Sequence, residues 1–120
     1  MKMSADVKKT VEECGPAMIA TATKSGHPNV SPKGSLRVLD DEHLVFADVR
    51  SPRTISNLRE NPYISIICLK MPERRGCRIW GKAEIINSGE LFDQWSKEMA
   101  SRNMKPNHLI KVSIDEVILF

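Results

Sequence analysis

The sequence predicts a mainly β fold with short helices, a small barrel of six antiparallel strands. Six segments carry the period-two alternation or the apolar run of a strand, and three carry the start and stop signals of a helix. Their order along the chain is helix, three strands, short helix, two strands, helix and strand. Because helices do not alternate regularly with strands, an antiparallel barrel is favoured over a parallel βαβ sheet. The length of 120 residues predicts one domain, 1–120.

The first half of the chain is predicted to form a helix followed by three strands. Residues 4–14 have the pattern of a short amphipathic helix, and residues 17–23 that of a strand. A glycine-containing turn leads into a second strand over 29–39. We expect that strand to bend near Gly34, because glycine in a strand marks a bulge or a close approach of backbones. The third strand, 44–47, follows an acidic turn.

A short helix follows the third strand and has clear boundary signals. Ser51 suits the N-cap position, and Pro52 suits the first helical position. Ile55 and Leu58 give this helix an apolar face. The helix is predicted to end at Asn61, because this residue precedes a proline and that position disfavours the α region.

The second half of the chain is predicted to contain three more strands and one more helix. The strands cover 63–70, 77–87 and 109–119, and the last of them alternates with period two. The helix opens at Ser88-Gly89-Glu90 and runs to about Asn103, with apolar residues spaced four apart on one face.

The start of the short central helix is a candidate anion site. Free backbone N–H groups and the positive end of the helix dipole lie there. Arg50, Arg53 and the Thr54 hydroxyl are close by in sequence, and a phosphate is the anion best suited to such a set. The alternative is a capped surface helix whose arginines are solvated.

Composition argues against several classes of function. The chain has 18 basic and 15 acidic residues, and a net charge of +3 is not the basic stripe of a dedicated nucleic-acid binder. No run approaches the roughly 20 apolar residues of a membrane span, and the N-terminus lacks a signal-peptide core. Three cysteines without CxxC spacing, and histidines without ligands at metal spacing, predict free thiols and no metal site. We therefore expect a cytoplasmic protein that binds neither nucleic acid nor membrane.

Four motifs in a fixed order carry a resemblance to a known family. They are Ala20-Thr21-Ala22 with Gly26-His27-Pro28, Val30-Ser31-Pro32-Lys33, Val45-Phe46-Ala47-Asp48 with Ser51-Pro52-Arg53-Thr54, and Arg78-Ile79-Trp80-Gly81-Lys82-Ala83. Nearly the whole chain is similar to the FMN-binding split β-barrel proteins, the pyridoxamine 5′-phosphate oxidase-like family, and above all to their short bacterial FMN-binding members. The resemblance implies a six-stranded antiparallel split β-barrel with FMN as its cofactor.

The resemblance also implies residues for the FMN phosphate. In the family the phosphate lies at the N-terminus of the short helix, and this position maps to Ser51, Arg53 and Thr54. Many relatives carry lysine where this chain has Arg53, and arginine keeps the charge and adds a bidentate fork. Arg50 is a further candidate, although its position varies among relatives.

The isoalloxazine ring of the family lies along the second strand, which maps to Val30, Ser31, Pro32 and Lys33. Lys33 would then place a positive charge near the N1–C2 edge of the flavin and raise its reduction potential. The alternative for Lys33 is a solvated strand residue. Trp80 lies on a strand that borders the cofactor in relatives, and its alternative is a place in the core or at a dimer interface.

The loop before the last strand approaches the flavin in some short members of the family. Those members carry an aromatic residue there, whereas this chain has Lys105-Pro106-Asn107-His108. His108 is a candidate proton donor to substrate, and its alternative is a polar surface residue.

The function implied by the resemblance is that of a homodimeric flavoprotein with FMN at the dimer interface. It would be an oxidoreductase or electron carrier with an unknown small-molecule substrate or redox partner. No catalytic residue is assigned, since the flavin supplies the chemistry. A true pyridoxamine phosphate oxidase is not expected, because the chain is much shorter than those enzymes. Three alternatives stay open: a deazaflavin- or haem-binding split barrel, a non-catalytic flavin-binding module, and a barrel without a cofactor.

Overall fold

Three helices and seven strands make up the fold. In the computed structural model, which describes residues 1–120, the helices are α1 (Ala5–Glu13), α2 (Pro52–Glu60) and α3 (Glu90–Ala100). The strands are β1 (Ala17–Ala22), β2 (Pro28–Lys33), β3 (Arg37–Asp40), β4 (His43–Asp48), β5 (Tyr63–Lys70), β6 (Arg75–Ile86) and β7 (His108–Leu119). The predicted mainly β architecture is confirmed, with seven strands in place of six.

All seven strands form one antiparallel sheet in the order β2-β1-β5-β6-β7-β4-β3. β2 and β3 are consecutive in the chain, yet they stand at the two ends of this order. The sheet is therefore open between them while its other strands are paired on both sides. This is the arrangement of a split β-barrel, as the sequence predicted.

The extra strand arises because the predicted strand 29–39 is two strands with different partners. β2 pairs with β1, whereas β3 pairs with β4. Between them Ser35 and Leu36 turn into the interior and are buried. Ser35 Oγ accepts a hydrogen bond from the Ala47 amide (3.0 Å) and lies 3.4 Å from the Ala47 carbonyl oxygen, to which it donates. In place of the expected bend near Gly34, the chain leaves one strand pair and enters another: β2 ends at Lys33 and β3 begins at Arg37.

The core combines alternate strand residues with the apolar faces of two helices. On β7 the predicted alternation is confirmed, since Ile110, Val112 and Ile114 are all buried. Phe46 of β4 is among the largest fully buried side chains. The predicted helix faces are also buried: Val7 and Val11 on α1, and Ile55 and Leu58 on α2.

The three cysteines are free, as expected. Cys68 and Cys77 are fully buried and lie directly opposite each other in the β5–β6 ladder. Cys14 stands at the end of α1 and is half-buried.

The helices are short, with nine residues each in α1 and α2 and eleven in α3. None of them combines the length and the apolar character that a transmembrane helix requires.

Candidate functional site

The start of α2 borders an open groove of about 770 Å³. The walls of the groove come from the end of β4, one side of α2 and the loop that precedes β7. Its polar lining includes Asp48, Arg50, Ser51, Asn107 and His108. The predicted anion site therefore opens onto a space of the size that small ligands and cofactors occupy in proteins.

Two side chains of β2 reach the start of α2. Strand alternation puts Ser31 and Lys33 on the same face of β2. The Lys33 ammonium donates a hydrogen bond to Ser51 Oγ. The hydroxyl oxygens of Ser31 and Thr54 are 3.3 Å apart, within hydrogen-bonding distance, and Thr54 is fully buried. Four residues that the sequence proposed for cofactor binding thus meet at one point.

The first turn of α2 keeps backbone donors that the protein does not use. Ser51 is the N-cap residue, as predicted, and its carbonyl accepts a hydrogen bond from the Ile55 amide (3.1 Å). Its hydroxyl makes no capping bond, because it is engaged by Lys33 instead. The amides of Arg53 and Thr54 have no acceptor within a helix that starts here. Arg53 is exposed, so its amide is the one available to an anion, whereas Thr54 is fully buried.

Lys33 brings a partly desolvated positive charge to this point. Burial lowers the pKa of the Lys33 ammonium, and the nearby carboxylate of Asp48 opposes that effect. A negative ligand at the start of α2 would favour the charged ammonium in the same way as Asp48 does. The charge of Lys33 lies beside the helix terminus, whereas the sequence assigned it to the edge of the flavin ring.

Arg50 and Arg53 add exposed positive charge around the helix start. Neither forms an ion pair with a carboxylate of the chain. Together with Lys33 and the helix dipole, they concentrate positive charge at one end of α2. The arrangement suits a doubly charged phosphate group.

Val30, Pro32 and Trp80 lie on the opposite face of the sheet. The ladders pair Val30 with Ala20, Ala20 with Ser65 and Ser65 with Trp80, so these residues form one row across four strands. Val30 is 62% exposed and Trp80 is half-buried. Within one protomer, the structure therefore separates these three candidates from the group at the helix start.

The face that carries Val30 and Trp80 is largely apolar. The neighbouring row across the strands runs from Met18 through Ile67 and Arg78 to Ile118. Met18 is 44% exposed and Ile118 is 47% exposed, and Arg78 between the two isoleucines is also exposed. We call the five apolar residues, Val30, Trp80, Met18, Ile67 and Ile118, the outer apolar face. Exposed apolar side chains grouped in this way indicate an interaction surface.

A buried acid–histidine pair forms one wall of the groove. Asp48, at the end of β4, is only 3% exposed, and His108 lies opposite it at the start of β7. His108 Nδ1 is 2.8 Å from Asp48 Oδ2, whereas Asp48 Oδ1 is buried without a hydrogen-bond partner. Asp48 stands in the motif Val45-Phe46-Ala47-Asp48 that carries the family resemblance, but it was not among the predicted site residues, because the predicted strand ended at Ala47. An acidic residue continuing an apolar strand was the available signal.

Two curated proteins are similar to this chain in sequence. The first is an uncharacterised protein, MJ0282 of Methanocaldococcus jannaschii, 29% identical over 125 residues that cover 98% of this chain and 80% of that protein. The second is the pyridoxine/pyridoxamine 5′-phosphate oxidase of Rippkaea orientalis, 31% identical over 74 residues that cover 62% of this chain and 34% of that enzyme. The second match thus spans about a third of the oxidase.

Solved structures share the fold over nearly the whole chain. A variant of HupZ from Group A Streptococcus superposes with a TM-score of 0.89 at 25% identity, covering 98% of both chains. An FMN-binding protein of Syntrophomonas wolfei superposes with a TM-score of 0.80 at 16% identity, covering 95% of this chain and 88% of that one.

Two more distant structures have the same fold and other ligands in their names. An F420 reductase gives a TM-score of 0.75 at 17% identity, covering 97% of this chain and 98% of that one. The haem storage protein HutZ of Vibrio cholerae gives 0.70 at 21% identity, covering 100% and 94%. These likenesses show the fold alone, and the fold is shared by proteins named for FMN, F420 and haem.

A family model described as pyridoxamine 5′-phosphate oxidase matches residues 3–120, nearly the entire chain. The open antiparallel sheet agrees with that match. The resemblance drawn from the sequence motifs is confirmed, and the chain belongs to the pyridoxamine 5′-phosphate oxidase-like family of split β-barrel proteins.

Proposed function

We propose that this protein binds FMN, with the phosphate at the start of α2 and the ring along β2, and serves as a flavin-dependent oxidoreductase or electron carrier. The observation that carries the proposal is the meeting of β2 with the first turn of α2. There the Lys33 ammonium contacts Ser51, and the Ser31 hydroxyl contacts Thr54. The free amide of Arg53 at the helix start completes a cradle for an anion.

The residues present fit the phosphate of FMN. A phosphate monoester carries about −1.5 to −2 charges near neutral pH, and the cradle offers Lys33 and Arg53 as cations. Ser51 and Arg50 line the groove, and the buried Thr54 hydroxyl supports the site from behind through its contact with Ser31. FMN, when bound, would supply one- and two-electron transfer, while the protein supplies binding, orientation and tuning of the potential.

The family resemblance assigns the ring to β2, and the place of β2 at an edge of the sheet supports that assignment. β2 pairs only with β1, so one edge of its backbone has no strand beside it. The main chain of Val30, Ser31, Pro32 and Lys33 can therefore approach a planar ligand.

The three free cysteines favour a reducing compartment, and we place the protein in the cytoplasm.

A homodimer completes the proposal, with the outer apolar face as its contact surface. Two-fold symmetry brings the same patch of both copies together, so each copy would cover Val30 and Trp80 of the other. The FMN sites would then lie at the interface and use residues of both chains.

Met18→Lys should weaken the dimer by about tenfold to 100-fold, because two-fold symmetry would bury two unpaired ammonium groups in one interface. Sedimentation equilibrium measures the dissociation constant. Leu119→Lys is the matched control, since Leu119 is also exposed, at 47%, but lies in the row of the inward-facing Cys77. A monomeric wild-type protein, or a Met18→Lys protein as dimeric as the control, contradicts this surface assignment.

The absorption spectrum of the protein purified from cells tests the cofactor. We expect the two visible bands of an oxidised flavin, and FMN as the compound released on denaturation. A Soret band would show that the protein binds haem, and release of a deazaflavin would show that it binds that cofactor. Either result contradicts FMN as the cofactor. A protein that stays colourless and shows no thermal shift with added FMN would be a barrel without a flavin. Steady turnover of a reduced nicotinamide with an electron acceptor separates an enzyme from a flavin-holding module.

A further inference from the structure

His108 is held rigidly at the wall of the groove. The Asn107 amide donates to the Asp48 carbonyl (2.8 Å), and Asn107 Nδ2 donates to the Val49 carbonyl (2.9 Å). The β4–β7 ladder places His108 directly opposite Asp48, and their side chains meet at 2.8 Å. These contacts fix both the backbone and the imidazole ring.

The contact with Asp48 also fixes which nitrogen of His108 carries the proton. A carboxylate oxygen can only accept, so Nδ1 must carry the hydrogen that it donates to Asp48. In the neutral ring Nε2 is then the acceptor, and no group of the protein hydrogen-bonds to it. The His108 side chain is 19% exposed and lines the groove. Its free nitrogen is therefore accessible to a ligand.

Asp48 is suited to stabilising a positive charge on His108. It is almost fully buried, and its second oxygen has no hydrogen-bond partner. A buried carboxylate with an unused oxygen is unfavourable unless a nearby positive charge compensates it. The Lys33 ammonium is one such charge, and a proton accepted by His108 would supply a second.

We propose that His108 is a proton-transfer residue, positioned by Asp48, for acceptors whose reduction places a hydrogen on oxygen or nitrogen, such as quinones and other carbonyl compounds. This rests on the proposed function, in which reduced FMN is the electron donor. FMN, when bound in its anionic reduced form, would supply the hydride that carries both electrons, and Nε2 of the His108 imidazolium would give the proton that the acceptor oxygen gains. Oxidised flavin, neutral His108 and the dihydro product would result, and solvent would return the proton to Nε2.

The test combines a rate with a structural readout. FMN-loaded protein is reduced with dithionite, mixed with excess 1,4-naphthoquinone in a stopped-flow instrument, and followed by the return of flavin absorbance. We expect His108→Gln to slow this step by at least about 100-fold, the lower end of the contribution of a general acid, when FMN saturates both the variant and the wild-type protein. His43→Gln is the matched control, because His43 Nδ1 makes the same 2.8 Å contact with Asp40 outside the groove.

Asp48 is tested through the tautomer. In ¹⁵N-labelled, ligand-free protein, long-range ¹⁵N–¹H spectra should show Nδ1 of neutral His108 protonated and Nε2 unprotonated, and Asp48→Asn should weaken that preference. Rates equal to wild type in His108→Gln, or a proton on Nε2 in the ligand-free protein, overturn the proposal. Failure of wild-type protein to bind FMN overturns the proposed function instead, and the tautomer then decides the role of the pair by itself.

Discussion

Replacing Lys33 with methionine should weaken FMN binding by about 2–4 kcal/mol, or about 30- to 1,000-fold in affinity. The ammonium of Lys33 is half-buried and lies beside the N-terminus of α2, where it contacts Ser51. A phosphate bound there would pair with a cation that is already partly desolvated, and charge-assisted bonds of that kind are strong. Methionine keeps most of the length and apolar contact of lysine while it removes the charge.

Arg53→Ala should have a smaller effect, about 1–2 kcal/mol, because Arg53 is exposed and solvent screens its charge. Its guanidinium must also be ordered on binding, which costs side-chain entropy. The ranking of Lys33 above Arg53 comes from the structure, since the family resemblance assigned the phosphate to Arg53 and the ring to Lys33. Fluorescence titration of FMN against both variants measures the two losses.

Riboflavin, which lacks the phosphate, separates the two roles of Lys33. If Lys33 binds the phosphate, Lys33→Met should leave riboflavin affinity within about twofold of wild type while FMN affinity falls. An equal loss for both ligands would instead return Lys33 to the edge of the ring. Lys97→Met, on the exposed side of α3, is the matched control and should change neither affinity.

The fold could be predicted from the sequence because its signals are local. The alternation of β7 and the proline after Asn61 are signals that act within a few residues. The predicted strand 109–119 and the predicted end of the helix at Asn61 each agree with the structure to within one residue. The division of 29–39 into two strands was not found. It depends on Ser35 bonding to Ala47, twelve residues away, and no local pattern reports such a partner.

The candidate site shows the same difference between features with local sequence signals and features that depend on contacts between distant residues. The candidate anion site could be proposed from the sequence because its helix start, arginines and hydroxyls lie close together in the chain. The contact of Lys33 with Ser51 joins two elements 18 residues apart, and that of Asp48 with His108 joins residues 60 apart. Both follow from strand register and from how far a side chain reaches across the sheet, which a single sequence does not specify.

Phe46→Ala should lower the free energy of unfolding by about 3–5 kcal/mol, a large part of the roughly 5–15 kcal/mol that holds a domain of this kind folded. Phe46 is 1% exposed and lies in the middle of β4, opposite Ile110. Removing its ring loses apolar burial and leaves a cavity that the paired strands on both sides cannot close. Guanidinium denaturation with an unchanged m-value measures the loss.

Phe120→Ala is the matched control, since Phe120 is 48% exposed and packs against Arg78 with a ring-to-guanidinium distance of 5.9 Å. It should cost no more than about 1 kcal/mol of unfolding free energy.

The stabilisation of each protein by FMN shows whether the cavity left by Phe46→Ala also changes the proposed binding site. At 100 times its dissociation constant, FMN should add about 2.7 kcal/mol to the unfolding free energy of wild type and of Phe46→Ala alike. The residues proposed to bind the phosphate belong to β2 and α2, and the hydrogen bonds of β4 to β7 do not involve the lost ring. A smaller increment in Phe46→Ala would mean that the core under β4 also sets the geometry of the groove.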